Sequence, residues 1–440
     1  MAHRFTKLAT SIAASALLLT GCATGSSAPD EPITLSFRLW DATVAEAYEE
    51  SFEAFEKQNP GITVDVNVVG WADYWTELRT DVADKEMDDL FWLNNSYFGA
   101  YADAGKLVNI DKLFGDDAAG LWEPSIVDQF TRADTLWGVP QLYDAGVAVY
   151  YNTALLEKAG ISPESLESLT WSPDATQDTY LAAAQALTLD AAGVSAGTPG
   201  FDGTPVQYGT NLAYDTQAIM LPFIGSNGGV FQKGEEFAFS DPKTIEAFEY
   251  LVNAIASAKV APPASETNAN GDFSRDAFLE GRMAMFQSGL YNLKNVADGA
   301  EFEWGVASMP TGPAGRVSVT NGVVVAGNAE SEKHAAIGKL LTWLGSEKAN
   351  RYLGASGAAV PAVMDAQKSY FDFWKEEGVS VKPFFDVVEG EKRIAAPRGA
   401  NFGKAFEEFN PIFQEIFAGT VEPSVGLKQA EGAANAAIAG

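Results

Sequence analysis

The chain has 440 residues, 47% of them hydrophobic, with 59 acidic against 29 basic side chains and a net charge of −30. That length and apolar content support two or three domains with cores of their own and exclude a disordered chain. So negative a field excludes nucleic acid as a partner and repels anionic ligands, which leaves a neutral or cationic ligand favoured.

The chain opens on a basic stretch, His3, Arg4 and Lys7, followed by an apolar run at 8–20 that ends in Leu19-Thr20-Gly21-Cys22. The run is shorter than the roughly 20 residues a spanning helix needs, so residues 1–21 are expected to be a cleaved export signal ending in a bacterial lipobox. Cys22, the only cysteine, would become the lipid-bearing N-terminus and do no chemistry within the fold. Cleavage there removes Arg4 and Lys7 and no acid, leaving 27 basic against 59 acidic residues, a charge of −32. The rest of residues 22–32 is small, polar and proline-bearing, as a flexible tether would be.

Ile33, Leu35, Phe37 and Leu39 alternate as a strand; Val44, Tyr48, Phe52 and Phe55 then recur at helical spacing until Asn59-Pro60-Gly61 stops the helix. Ile62, Val64, Val66 and Val68 alternate again, Tyr74, Leu78 and Val82 mark a second helix, and residues 90–93 form a short apolar strand. Three strand-helix repeats predict a mostly parallel sheet whose ligands bind beyond the carboxyl ends of the strands. Those ends run into Trp40 and Asp41, into Trp71, and into Asn94 and Asn95 followed by Tyr97. An aromatic ring offers a flat apolar face to the C–H side of a pyranose while acids and amides satisfy its hydroxyls, so the mixture suits a sugar cleft. The alternative is that Trp40 and Trp71 cap the sheet as core residues.

Residues 136–152 combine a turn, a polar interruption and a strand. Pro140 denies the ladder an N–H, Gln141, Tyr143 and Asp144 follow, and Val147, Val149, Tyr150 and Tyr151 resume a strand, so the chain is expected to cross between two elements here. Gly138-Val139-Pro140, Asp144 and the strand ending Tyr150-Tyr151-Asn152 before Ala154-Leu155-Leu156-Glu157-Lys158-Ala159-Gly160 resemble the first hinge of bacterial extracellular solute-binding proteins that feed sugars to ABC importers, the maltose-binding-protein-like group. Beyond it, Trp171-Ser172-Pro173 and Ser240-Asp241-Pro242 are each predicted to open a helix, residues 193–205 a surface loop, and the glycine-rich 225–231 a turn without phosphate-binding spacing. The helix, turn and strand at 278–289, Phe278-Leu279-Glu280-Gly281-Arg282-Met283-Ala284-Met285 onward, resemble an internal signature of the same family, and the strand ends in Ser288 with Tyr291 and Asn292 beyond.

Ala307-Ser308-Met309-Pro310 resembles the family's second hinge, and a valine-rich strand at 317–326 is expected to be broken by Asn321-Gly322. Ile337, Leu340, Leu341 and Leu344 mark a helix, a shorter one follows at 346–353, and 354–361 is read as a third crossing. Phe406, Phe409, Phe413, Ile416 and Phe417 form an apolar helix face that Pro411 either kinks or splits. Arg398 could offer its planar fork to vicinal hydroxyls or sit in a surface salt bridge, and Tyr214 and Asn321 complete the candidate ligand residues.

With two histidines and one cysteine in the whole chain, no catalytic triad or Cys/His zinc site is visible. No spaced calcium loop is evident, so neither metal nor cofactor is expected. His334, in a charged stretch at a helix start, reads as solvated. Paired carboxylates of a secreted carbohydrate hydrolase or lyase remain open among 59 acids, as does a passive adhesion lipoprotein. The resemblance, which spans nearly all of 33–440, implies an α/β two-lobe periplasmic-binding-protein-like fold with three hinge crossings. Lobe one would comprise 33–143 with 310–357, and lobe two 144–309 with 358–440. It further implies a non-enzymatic protein, lipid-anchored to the outer face of the cell membrane, that traps a sugar or oligosaccharide by hinge closure and delivers it to the transmembrane permease subunits of an ABC transporter.

Overall fold

The computed structural model describes residues 32–115, 118–389 and 393–439. The expected signal, Cys22 and nearly all of the tether lie outside them. The first sheet begins with β1 (Ile33–Leu39), β2 (Ile62–Val68) and β3 (Leu90–Asn94), in the order β2-β1-β3 and all parallel. Alternation in β1 puts Leu35, Phe37 and Leu39 fully inside. The helix Ala42–Gln58 follows because Asp41 caps it, its Oδ1 accepting from the amides of Thr43 (2.9 Å) and Val44 (3.2 Å). That helix buries Val44, Tyr48, Phe52 and Phe55 on the spacing read from the sequence.

The chain then reaches β4 (Val139–Asp144), turns through Ala145 and Gly146, and enters β5 (Val147–Asn152) in a different sheet. There β5 is the central strand, antiparallel to β6 (Met285–Gly289) on one side and β7 (Trp304–Ala307) on the other. The return path is β8 (Ser318–Gly327), which joins the first sheet antiparallel to both β3 and β4 and pairs at its start with β9 (Arg393–Ala395). A third segment lies alongside, where the Tyr143 amide bonds the Val360 carbonyl (2.9 Å) and the Ala362 amide bonds Gln141 (2.8 Å). Three crossings therefore run side by side between two α/β lobes. One core, with Phe37, Trp92, Val324 and Leu340, fills the first lobe. Two more fill the second, one around Val149, Phe248, Phe409 and Phe413 and one around Tyr150, Phe286 and Trp374.

Two local readings are corrected and one alternative, a split at Pro411, is removed. Trp171-Ser172-Pro173 opens no helix: Ser172 Oγ accepts from the Asp174 amide (3.0 Å) in a local turn, and the helix Thr179–Leu187 starts later under an Asp178 cap. The strand β8 is unbroken at Asn321-Gly322, because a Cβ on Gly322 would come within 2.5 Å of Ile126 and the bare backbone is what lets the helix above pack down. The helix Phe402–Phe417 runs through Pro411 without splitting, since burial of Phe402, Phe409, Phe413 and Phe417 outweighs one missing backbone hydrogen bond. Helices Gln367–Glu376, Lys382–Glu389 and Pro423–Ala439 are additions that the apolar spacing did not announce.

Candidate ligand-binding cleft

The carboxyl ends of β1 and β3 and the start of the helix Trp71–Asp84 converge on an aromatic wall. The Trp40 ring meets Trp71, Tyr74 and Trp92 edge-on at 5.3, 5.0 and 4.7 Å and Trp75 at 5.5 Å, so four rings enclose it. Trp71, in the first turn of its helix, is 52% exposed and offers a free face. Tyr97 stacks flat on Trp75 at 4.0 Å and meets Phe402 of the second lobe edge-on at 5.2 Å. Trp75, absent from the sequence-derived candidates, is buried with its indole N–H lacking a hydrogen-bond acceptor.

At the crossing, Asp144 and Asn321 stand directly opposite each other in the β4–β8 ladder. Gln217 reaches both from the second lobe: its Nε2 donates to Asp144 Oδ2 at 2.6 Å, and its Oε1 accepts from Asn321 Nδ2 at 3.2 Å. The other carboxylate oxygen of Asp144 is shielded from solvent without a well-formed hydrogen bond. Burial pushes the Asp144 carboxyl up to about 7, against the pull of the Gly146 amide, Gln217 and the Leu290 amide. Asp215, two residues before Gln217, is also raised by burial.

The lobes touch around the mouth. Thr43 Oγ donates to Asn295 Oδ1 at 3.0 Å, Arg79 pairs with Glu407 at 2.7 Å, and Arg132, gripped by Asp103 at 2.6 Å, reaches Glu235 at 3.0 Å. Ser96 Oγ donates to the Pro397 carbonyl at 2.6 Å. Two small recesses, one lined by Trp171, Phe223 and Met309 with about 10 Å³ of room and the other by Val149, Tyr180 and Met285 with about 0 Å³, are far below the ~300 Å³ of small-molecule sites. The cleft between the lobes, where acids, amides and an exposed indole converge, is therefore the candidate site.

The profile of the bacterial extracellular solute-binding protein family matches residues 41–351. The chain belongs to that family. The crystal structure of M. tuberculosis UspC is 52% identical to this solute-binding protein, covering 92% of this chain and 100% of that one at a TM-score of 0.72. An ABC substrate-binding protein of Listeria monocytogenes, determined with cycloalternan, shares its fold at 22% identity and a TM-score of 0.78, over 92% and 99% of the two chains. A Deinococcus radiodurans protein named as an ABC transporter-binding protein is 25% identical over 320 residues, 70% of each chain.

Against this geometry the sequence-derived candidates of the solute-binding protein separate. Asp144 and Asn321 come together at the crossing, and Tyr143 beside them packs on cores of both lobes. Tyr291 is 39% exposed and lies flat on the end of β6, where a Cβ on Gly289 would strike its ring at 2.1 Å. Ser288, buried, accepts from Asn292 at 2.8 Å. Asp41 spends one oxygen on its helix cap; burial raises its carboxyl while Arg275 across the cleft pulls the other way.

Several candidates have local engagements. Asn94 accepts from the Tyr97 amide at 3.2 Å, and Asn95 donates to the Ala396 carbonyl at 3.5 Å while its own carbonyl oxygen is buried without a partner. The Tyr214 hydroxyl donates to Asn410 at 2.5 Å, with its ring against Phe417 in the second core. Arg398 is exposed on the surface, its backbone held at both ends by Gln232. Gln217, Asn295 and Arg275 were invisible in the sequence because nothing local distinguishes them from other surface amides and arginines.

Proposed function

We propose that this solute-binding protein captures a sugar or short oligosaccharide between its lobes and hands it to the permease of an ABC importer, while a lipid on Cys22 holds it at the outer face of the cell membrane. The observation that carries the reading is the crossing itself, where Asp144 stands opposite Asn321 with one carboxylate oxygen lacking a hydrogen bond; the half-exposed Trp71 at the carboxyl end of the first sheet supports it. Family membership and the fold shared with proteins determined with cycloalternan, maltotriose and mannobiose support it. The ligand set proposed is Trp40, Asp41, Trp71, Asn94, Asn95, Tyr97, Tyr143, Asp144, Tyr214, Ser288, Tyr291, Asn321 and Arg398. The lobes divide as 33–143 with 310–357 and 144–309 with 358–440.

Calorimetry with maltotriose, mannobiose and cycloalternan tests the reading. At least one should bind with a change in Trp fluorescence and be recovered intact after hours, and Asp144→Ala should weaken that binding at least tenfold, the worth of a charged acceptor being roughly 1.5–3 kcal/mol. Steady release of shorter sugars would instead establish a hydrolase.

A further inference from the structure

Gln217 sits on a π-helical turn, Thr216–Met220, in which the Met220 amide reaches five residues back to the Asp215 carbonyl at 2.8 Å. Such turns are rare and frequent at functional sites. This one is pinned at its start and its middle. Asp215 Oδ1 accepts from the Ala218 amide at 2.7 Å, and the Ala218 carbonyl accepts from Gln287 Nε2 at 2.7 Å. Gln287 is itself fixed by a reciprocal pair with Asn211, both bonds 2.9 Å. A chain of buried amides therefore holds an irregular turn whose outward side chain is Gln217.

That side chain spans the hinge. One amide group contacts Asp144 on the outgoing crossing strand and Asn321 on the returning one. Only one orientation of the carboxamide satisfies both partners, with nitrogen toward the carboxylate and oxygen toward the Asn321 amide. We infer that Gln217 is a positioning residue of the ligand site: by bridging Asp144 and Asn321 across the two hinge strands, it fixes the orientation of the Asp144 carboxylate that a ligand would meet. The inference rests on the proposed sugar-binding reading.

The groups facing Asp144 are the amides of Gly146 and Leu290, the phenols of Tyr150, Tyr291 and Tyr370, and, through Tyr291, the Asp215 carboxylate. The phenols are raised by burial and stay neutral at pH 7. Gln217 thus supplies the one side-chain hydrogen bond that favours ionised Asp144.

The test follows the Asp144 carboxyl carbon by 13C NMR in aspartate-labelled, ligand-free protein, assigned by its loss in Asp144→Asn, beside calorimetry with maltotriose, mannobiose and cycloalternan. In Gln217→Met, similar in bulk but unable to donate, the titration midpoint should rise by about one pH unit and sugar affinity at pH 7 should fall about tenfold or more. Gln217→Glu places a carboxyl against a carboxyl and should raise the midpoint as well, which keeps the test alive if the methionine variant folds poorly. A midpoint that stays put in both variants overturns the inference, as does one that moves while a sugar the wild type binds is held equally well. Wild-type protein that binds none of the three sugars ends the sugar reading, and the titration then still decides whether Gln217 governs Asp144.

Discussion

Trp40 and Trp71 are both aromatic, both at the carboxyl end of the first sheet, and in contact at 5.3 Å, yet their alanine variants should differ clearly in stability. Trp40 is enclosed by Trp71, Tyr74, Trp75 and Trp92 and packs on the first core. Trp40 keeps part of its surface open and remains in the proposed ligand set, but its removal leaves a cavity among rings, so Trp40→Ala should cost up to about 3–5 kcal/mol of stability. Trp71 has 52% of its surface in solvent. A buried Trp covers about 150–250 Å², so the half already covered is about 100 Å², and at about 25 cal/mol per Å² its loss costs no more than ~2.5 kcal/mol. The exposed half is of similar size, and a sugar laid on it gains up to the same ~2.5 kcal/mol, or about 70-fold in affinity. Trp71→Ala should therefore weaken sugar binding at least tenfold in calorimetry, while urea unfolding followed by circular dichroism shows it clearly more stable than Trp40→Ala. Wild-type affinity in Trp71→Ala would remove Trp71 from the ligand site, and an undiminished Trp40→Ala midpoint would refute the assignment of Trp40 to the core.

Burial raises the Asp144 carboxyl from its ordinary 3.8 to about 7, so between those values the folded chain keeps a proton that the unfolded chain has released. The stability this contributes is fully present below about pH 4 and is lost as pH climbs through 7. Asp144→Asn, neutral throughout, should therefore gain melting temperature over the wild type from pH 5 to pH 8, and melting curves that stay parallel across that range would count against a raised carboxyl. Cys22→Ser should leave the protein soluble or unprocessed with its melting temperature unchanged, because the cysteine precedes the first strand at Ile33; a wild-type protein whose intact mass shows no lipid would end the anchoring proposal.

Much of the fold was written in local pattern. Period-two apolar runs at 33–39 and 62–68, the Asp41 cap and the Asp241-Pro242 helix start act within a few residues, so the elements they specify form where the sequence places them. The first crossing was legible for the same reason: the polar stretch that ends in Asp144 and the Ala145-Gly146 turn before Val147 mark where one ladder ends and another begins. Where nearby groups compete, local pattern misled, as when Ser172 closed a turn instead of capping a helix. Only the tertiary structure decided what the candidate site contains. Asn321 is set opposite Asp144 by the packing of β8 between β3 and β4, and Gln217 reaches the pair because Gln287 and Asn211 hold a π-helical turn against β6. It likewise separated Trp40, closed in by four rings, from Trp71, left half open. Those distinctions depend on which distant segments are brought into register, and register between strands far apart in the chain is set by the burial of both lobes' cores, a quantity no short window of sequence contains.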